Sequence, residues 1–434
     1  MIKIILVGTV LLLFVACGNL TDKSSDLHLI NKLEQLAESE SFFKLKKLYD
    51  RQSNQLSKED ALYYKAVIAL AFNKSKESNK AIKELLDNAE ISLNDSLIRT
   101  LYYMKLQNEG NLFEYRNAAL SSEFIQQKYS GIIDSLELDN VQNSYKIWKA
   151  LINTPPQKVI RNKDVTIPLI KDKVGLSTIK TVFRDTSLNL IFDTGANFSV
   201  IQKSLVDQLG LKLIKADFFV TAATGAKVKS DLAIAKTLSI GGLTFSNVVF
   251  LVFDDENLSF PQIDYSIKGI IGFPVIKAME EIHLRQDHQL FIPKELTEYS
   301  YDNFALDGFM PILASEYKGD TLRFHFDTGA TTTTLYSLFY KEYKQSIVDN
   351  YPKKTFKVAS AGGRVEFEGY VIDNLTLKIA NSDAQLDSLQ LHSEGIGGVN
   401  KKCHGNLGQD YIKQFDEMII SFKYSSIVFN GKKL

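Results

Sequence analysis

Apolar residues change their period along this chain, and each change predicts a different kind of element. An apolar run over residues 4–16 follows Met1-Ile2-Lys3, and a polar stretch, 18–26, comes after it. From about residue 27 to 151 the apolar positions recur at helical spacing in a background rich in Leu, Lys, Glu, Ala and Tyr. Breaks near Ser53, Asn73, Ile91 and Gly110 divide this segment into helices of roughly 13 to 18 residues, which predicts stacked antiparallel hairpins. Ser57-Lys58-Glu59-Asp60 supplies a capping start for one of them. Asn153-Thr154-Pro155-Pro156 then ends the helical part, because two prolines stop a helix and favour an extended link.

Beyond residue 158 the pattern is that of strands. Two apolar runs, Leu190-Ile191-Phe192 and Phe324-His325-Phe326, lead directly into Asp193-Thr194-Gly195-Ala196 and Asp327-Thr328-Gly329-Ala330, so the triplets stand 134 residues apart. Downstream, Gly269-Ile270-Ile271-Gly272-Phe273-Pro274 matches Gly405-Asn406-Leu407-Gly408-Gln409-Asp410, with second glycines 136 apart. Between them, the segment starting at Thr221 matches the one starting at Val358 at an offset of 137, and each reads as a small, glycine-containing hairpin tip. Upstream, Ile167-Pro168-Leu169-Ile170 echoes Met310-Pro311-Ile312-Leu313 at an offset of 143, which predicts about nine extra residues in the first hairpin of the first copy. Each copy closes with a two-stranded pattern, 281–292 and 417–429. A near-constant offset marks an internal duplication.

Two carboxyls brought face to face have a definite chemistry. Like charges in hydrogen-bond contact cannot both ionise, so one carboxylate draws a proton from water while its neighbour stays protonated and polarises a carbonyl. With these motifs, residues from about 158 to 434 resemble two tandem retropepsin-like lobes, the arrangement of the bacterial aspartyl protease family, similar to pepsin in carrying both lobes on one chain. The resemblance implies a mainly β bilobal fold, with lobe 1 over 158–294 and lobe 2 over 304–434, preceded by an all-α helical-hairpin domain over 27–152.

It also implies roles. Asp193 and Asp327 are the catalytic dyad of an aspartic endopeptidase and activate one water, with no covalent acyl-enzyme. Thr194 and Thr328 donate side-chain hydrogen bonds across the pseudo-twofold axis, while Gly195 and Gly329 let the two backbones approach behind the acids. Thr224, Gly225, Gly362 and Gly363 form the flap tips over a peptide or protein substrate. In the pepsin-like branch the residue after the triplet commonly donates to the carboxylate; Ala196 and Ala330 cannot, so the dyad is expected to titrate higher than in a digestive acid protease. The next positions differ, Asn197 in one copy and Thr331 in the other. A second reading from another class is a catalytically inert peptide-binding or scaffold lipoprotein with a protease-like clamp.

Other chemistries find little support. The histidines at 28, 283, 288, 392 and 404 form no zinc spacing, and no further ligand residue stands at metal-site spacing from Cys403-His404, so neither metal nor cofactor is expected. His325, two residues before Asp327, reads as an ordinary strand residue. There is no Gly-x-Ser-x-Gly elbow and no phosphate-binding Gly-x-x-x-x-Gly-Lys loop. Glycosidases also pair carboxylates, but without duplicated Asp-Thr-Gly turns. With 51 basic and 51 acidic residues and no basic stretch, nucleic acid is not an expected partner.

The 13 apolar or small residues at 4–16 are too few to span a bilayer, and behind a lysine they read as an export signal. Phe14-Val15-Ala16-Cys17 resembles a bacterial lipobox, which implies a signal peptide over 1–16, lipid on Cys17, a tether over 17–26 and a lipid-anchored protein of the bacterial envelope, periplasmic or outer-membrane. Lipidation of Cys17 leaves Cys403 as the one remaining cysteine, so no intrachain disulfide forms. In the helical segment Ala69, Phe72, Ala81 and Leu85 fall at the spacing of a tetratricopeptide-like unit, which implies a surface for a protein partner; an ordinary bundle fits the same pattern.

Overall fold

The computed structural model describes residues 25–88, 93–221, 227–328, 330–360, 363–394 and 402–432. The chain divides between Asn153 and Thr154 into a helical unit and a mostly β unit. The apolar run at 4–16, Cys17 and most of the tether lie outside the described residues. Among the described residues no helix is long and apolar enough to cross a membrane.

The helical unit runs α1 (Leu27–Glu38), α2 (Phe42–Gln52), α3 (Lys58–Ala71), α4 (Ser75–Asp87), α5 (Asp95–Asn111), α6 (Tyr115–Tyr129) and α7 (Ser135–Leu151). Ser57 caps α3 as its sequence indicates, its hydroxyl accepting from the Asp60 N–H at 3.1 Å. Two further breaks, at 39–41 and 130–134, interrupt stretches that periodicity alone joins. The break at 39–41 is a turn that recurs between α3 and α4 and between α5 and α6. Glu40, Asn73 and Phe113 adopt left-handed backbone at φ 55, 58 and 59°. The following N–H groups of Ser41, Lys74 and Glu114 then reach back to Leu36, Ala69 and Glu109 carbonyls at 2.8, 2.7 and 2.8 Å, closing each helix end. Of the three residues only asparagine is a usual occupant of that conformation, so the turn at Glu40 is silent in the sequence. Between helices, the Tyr102 ring stacks on Phe124 at 3.8 Å, and Ser121 donates to the buried Glu109 carboxylate at 2.7 Å.

The β unit contains a 13-stranded and a 10-stranded sheet. The hairpin of Ser177–Phe183 with Thr186–Phe192 carries the first triplet, and that of Met310–Tyr317 with Asp320–Phe326 carries the second. Their closing pairs, Phe183 with Thr186 and Tyr317 with Asp320, keep the 134-residue offset, as do the left-handed turn residues Arg184 and Lys318. The proline echo is therefore a false match. Pro168 lies one strand earlier, in Val165–Lys171, where it faces Gln289, and the counterpart of Pro311 at constant offset is Ser177. The expected nine extra residues therefore do not exist: the acid-bearing hairpins match residue for residue, and the turn before them has five residues between Lys171 and Ser177 against two between Asp307 and Met310. Proline is tolerated wherever a strand residue makes no ladder N–H bond, a condition met at more than one strand.

Each copy threads a short strand behind its acid. Gly269–Ile271 runs parallel to Thr186–Phe192 and antiparallel to Ser199–Gln202; Gly405–Leu407 does the same with Asp320–Phe326 and Thr334–Leu335. The leading glycines are steric necessities: a Cβ at Gly269 would lie 2.6 Å from the Val200 carbonyl oxygen, and one at Gly405 would lie 2.3 Å from that of Thr334. Each copy also projects a hairpin, Lys212–Thr221 with Lys227–Ile240 and Lys354–Ser360 with Gly363–Ile372.

The closing hairpins of the two copies join. Glu281–Arg285 pairs antiparallel with Phe415–Ser421, Ile282 facing Ile420, and the sheet continues through Gln289–Ile292 to Val165–Lys171. At this seam the buried Glu281 carboxylate meets His283 Nε2 at 3.0 Å, and Glu417 meets both His283 Nδ1 at 3.1 Å and Arg285 Nε at 2.9 Å. Phe422 packs edge-on against Phe273 and Phe304, at 5.7 and 5.6 Å, and ties both copies into one core.

Candidate active site

The inserted strands hold the acid loops from both sides with matching backbone bonds. Asp193 N–H donates to the Ile271 carbonyl at 3.1 Å and Asp327 N–H to that of Leu407 at 3.4 Å; Phe273 N–H donates to Ala196 at 2.8 Å and Gln409 N–H to Ala330 at 2.9 Å. Gly272 N–H is received by the Ser199 hydroxyl at 3.1 Å, and Gly408 N–H by that of Thr333 at 3.0 Å. A Cβ at Gly272 would approach the Phe198 carbonyl oxygen to 2.4 Å, and one at Gly408 the Thr332 carbonyl carbon to 2.6 Å. Both second glycines are thus contact points between inserted strand and acid loop.

The two acids meet at the centre, their side chains hydrogen-bonded to each other. Gly195 N–H donates to Asp193 Oδ1 at 2.8 Å. A Cβ placed on Gly195 would lie 3.1 Å from Cγ and Oδ1 of Asp327 and 3.2 Å from Oδ1 of Asp193, so this glycine makes room for the carboxyls themselves rather than for a backbone behind them. Its φ lies outside the left-handed region.

The threonines lock the loops reciprocally. Thr194 N–H donates to Thr328 Oγ1 at 3.3 Å and Thr328 N–H to Thr194 Oγ1 at 3.2 Å, with the two hydroxyl oxygens 3.3 Å apart. Thr328 Oγ1 also donates to the Phe192 carbonyl at 3.5 Å, so one hydroxyl donates to backbone across the axis while both accept from it. Both side chains are buried. Gly329, Thr224, Gly225 and Gly362 lie outside the described residues; Gly363 pairs with Ser360 at the end of the second projecting hairpin.

Burial and the neighbouring Asp327 carboxylate push Asp193 up from 3.8 to about 7, while the N–H groups of Gly195 and Ala196 pull it part of the way back. The direction is the one expected from the alanines after the triplets. The leading cause is different: desolvation, then a like charge.

Three further residues converge here that motif reading passes over. Gln409 Nε2 donates to the Thr328 carbonyl at 2.7 Å. Asp410 accepts from the Thr333 hydroxyl at 2.6 Å and from its N–H at 2.8 Å. Tyr336 lies edge-on to His325, its hydroxyl raised by burial and further by Cys403 and Asp327. The signal for the first pair was the mismatch of Phe273-Pro274 with Gln409-Asp410; for Tyr336 there was none. His404 Nδ1 accepts from the Arg323 N–H at 2.9 Å and its Nε2 meets Glu342 at 3.0 Å. Among the described residues no three His, Cys, Asp or Glu side chains cluster as metal ligands.

Comparison with known proteins agrees with this arrangement over part of the chain. Residues 179–275 match the family model described as aspartyl protease. That segment opens within the hairpin carrying the first triplet and closes just past Gly272, so the chain holds an aspartyl-protease-like domain. The chain is also 22% identical over 270 residues to the chromosome partition protein Smc of Mycoplasma genitalium, a match covering 61% of this chain. It spans about a quarter of that relative, 25% of its length, and the likeness assigns no activity.

Proposed function

We propose that the β unit is an aspartic endopeptidase whose dyad is Asp193 and Asp327. The observation that carries this reading is the direct contact of the two carboxyls, with Asp193 raised to about 7, in a pair of loops bracketed alike. At any pH between the two macroscopic ionisations the pair holds one proton, and that proton belongs to the pair rather than to either acid. The ionised member takes a proton from a water held between them as the water attacks a peptide carbonyl. The protonated member hydrogen-bonds to the carbonyl oxygen and stabilises its developing charge. Collapse of the tetrahedral intermediate returns a proton to the leaving amine, and no bond forms between enzyme and substrate. The substrate is an extended peptide or protein segment lying beneath the projecting hairpins.

Incubation of the purified chain with a diverse peptide pool, read by mass spectrometry, tests the proposal. Asp193→Asn and Asp327→Asn each abolish cleavage; full activity in either variant overturns it. The rate extends from mildly acidic pH to a descending limb near 7, and a profile confined to strongly acidic pH contradicts the assignment of the dyad's upper ionisation.

A further inference from the structure

The two acid loops are held alike by backbone but not by side chains. At the position after the second glycine the first copy has Phe273, whose ring is fully buried against Phe422 and offers no polar atom. The second copy has Gln409, 8% exposed, at the same point. Its main-chain N–H donates to the Ala330 carbonyl at 2.9 Å and its side-chain Nε2 to the Thr328 carbonyl at 2.7 Å, so one residue grips the turn beside Asp327 at both ends. A carbonyl only accepts, which fixes the amide with Nε2 toward Thr328; Oε1 then faces Lys171 Nζ at 3.4 Å. Lys171 stands on Val165–Lys171 of the first copy, so the amide also bridges the copies.

We propose that Gln409 is a positioning residue that sets the height and acidity of Asp327 through the Thr328 carbonyl, and that the dyad is thereby supported unequally from its two sides. The inference rests on the peptidase reading for its kinetics but not for its titration. The neutral amide gives this support without placing a net charge beside the pair. A carboxylate there repels the Thr328 carbonyl and disfavours ionisation of the nearby acids, raising the upper midpoint; an ammonium keeps the donor, adds a positive charge and lowers it.

Three variants of the whole chain test this: Gln409→Glu, Gln409→Lys and Gln409→Met, the last matching the length without the donor. Two readouts are used, the pH–rate profile on a cleaved peptide and the titration of carbon-labelled aspartate carboxyls by NMR, assigned with Asp193→Asn. Expected results are an upper midpoint raised by about one pH unit in Gln409→Glu and lowered by about as much in Gln409→Lys. Gln409→Met loses roughly tenfold in kcat with KM little changed. An added charge shifts the midpoints from any nearby place, so the deciding variant is the neutral one: a folded Gln409→Met whose kcat and carboxyl midpoints superimpose on the wild type overturns the inference. If the wild type cleaves nothing, the peptidase proposal fails, and the carboxyl titration still decides the role of Gln409.

Discussion

Placing a single methyl group on Gly195 is the sharpest perturbation the geometry offers. The new Cβ would stand 3.1 Å from the Cγ and Oδ1 atoms of Asp327 and 3.2 Å from Oδ1 of Asp193. Comfortable contact is about 3.5 to 4.0 Å, so the carboxyls must retreat by a few tenths of an ångström. The backbone needs no change, since Gly195 is not among the glycines with positive φ. A displacement of about 1 Å at a reacting group costs on the order of a hundredfold in rate, so a shift near half of that predicts roughly a tenfold loss. Because the acids meet the reacting carbonyl rather than the substrate flanks, the loss falls on kcat and leaves KM nearly unchanged. Separation also weakens the like-charge coupling that raises Asp193, so the upper midpoint moves down from about 7. Steady-state kinetics of Gly195→Ala across pH on one cleaved peptide reads both effects. Wild-type kcat with an unmoved midpoint in the folded variant shows that residue 195 does not abut the acids, and the reasoning fails.

The same geometry sets other outcomes. Thr194→Val leaves the Thr328 N–H without its acceptor, and Thr328→Val does the same to the Thr194 N–H; each costs about 1 to 3 kcal/mol. The double variant costs less than the sum, because both changes dismantle one interlock; strict additivity in denaturant titrations refutes that coupling. The raised Asp193 makes the folded state bind its proton more tightly than the unfolded chain, whose ordinary value is 3.8. The contribution is therefore fully present below about pH 4 and is lost as pH climbs through about 7. Thermal melts should show Asp193→Asn gaining on the wild type as pH rises from 4 to 8, and a constant difference across that range contradicts the assignment.

What the sequence disclosed and what it withheld divide along a physical line. The Asp-Thr-Gly loops and the second glycines are readable because each answers a local steric demand: a Cβ at 272 or 408 runs into the loop that carries the acid. The helical segment is readable by period, except at the break at 130–134 and where Glu40 turns the chain without a residue type that announces it. The upstream strands misled, because Pro168 and Pro311 share a motif but belong to strands one place apart. Strand pairing is set by contacts distant in sequence, such as Ile282 with Ile420, and no window of adjacent residues records it. Gln409 was in view as a letter in a matched motif. Its function depends on a carbonyl 81 positions away, which only folding brings near.

The seam between Glu281–Arg285 and Phe415–Ser421 also sets a timetable. During synthesis Asp193 emerges more than two hundred residues before Phe415–Ser421, the strand that joins the closing hairpin of its copy to that of the other. Until then Glu281–Arg285 presents an unpaired edge, and the core around Phe422 has no keystone. The two copies therefore share one sheet only once both closing hairpins have been made, and the pairing of the carboxyls waits on the later of the two.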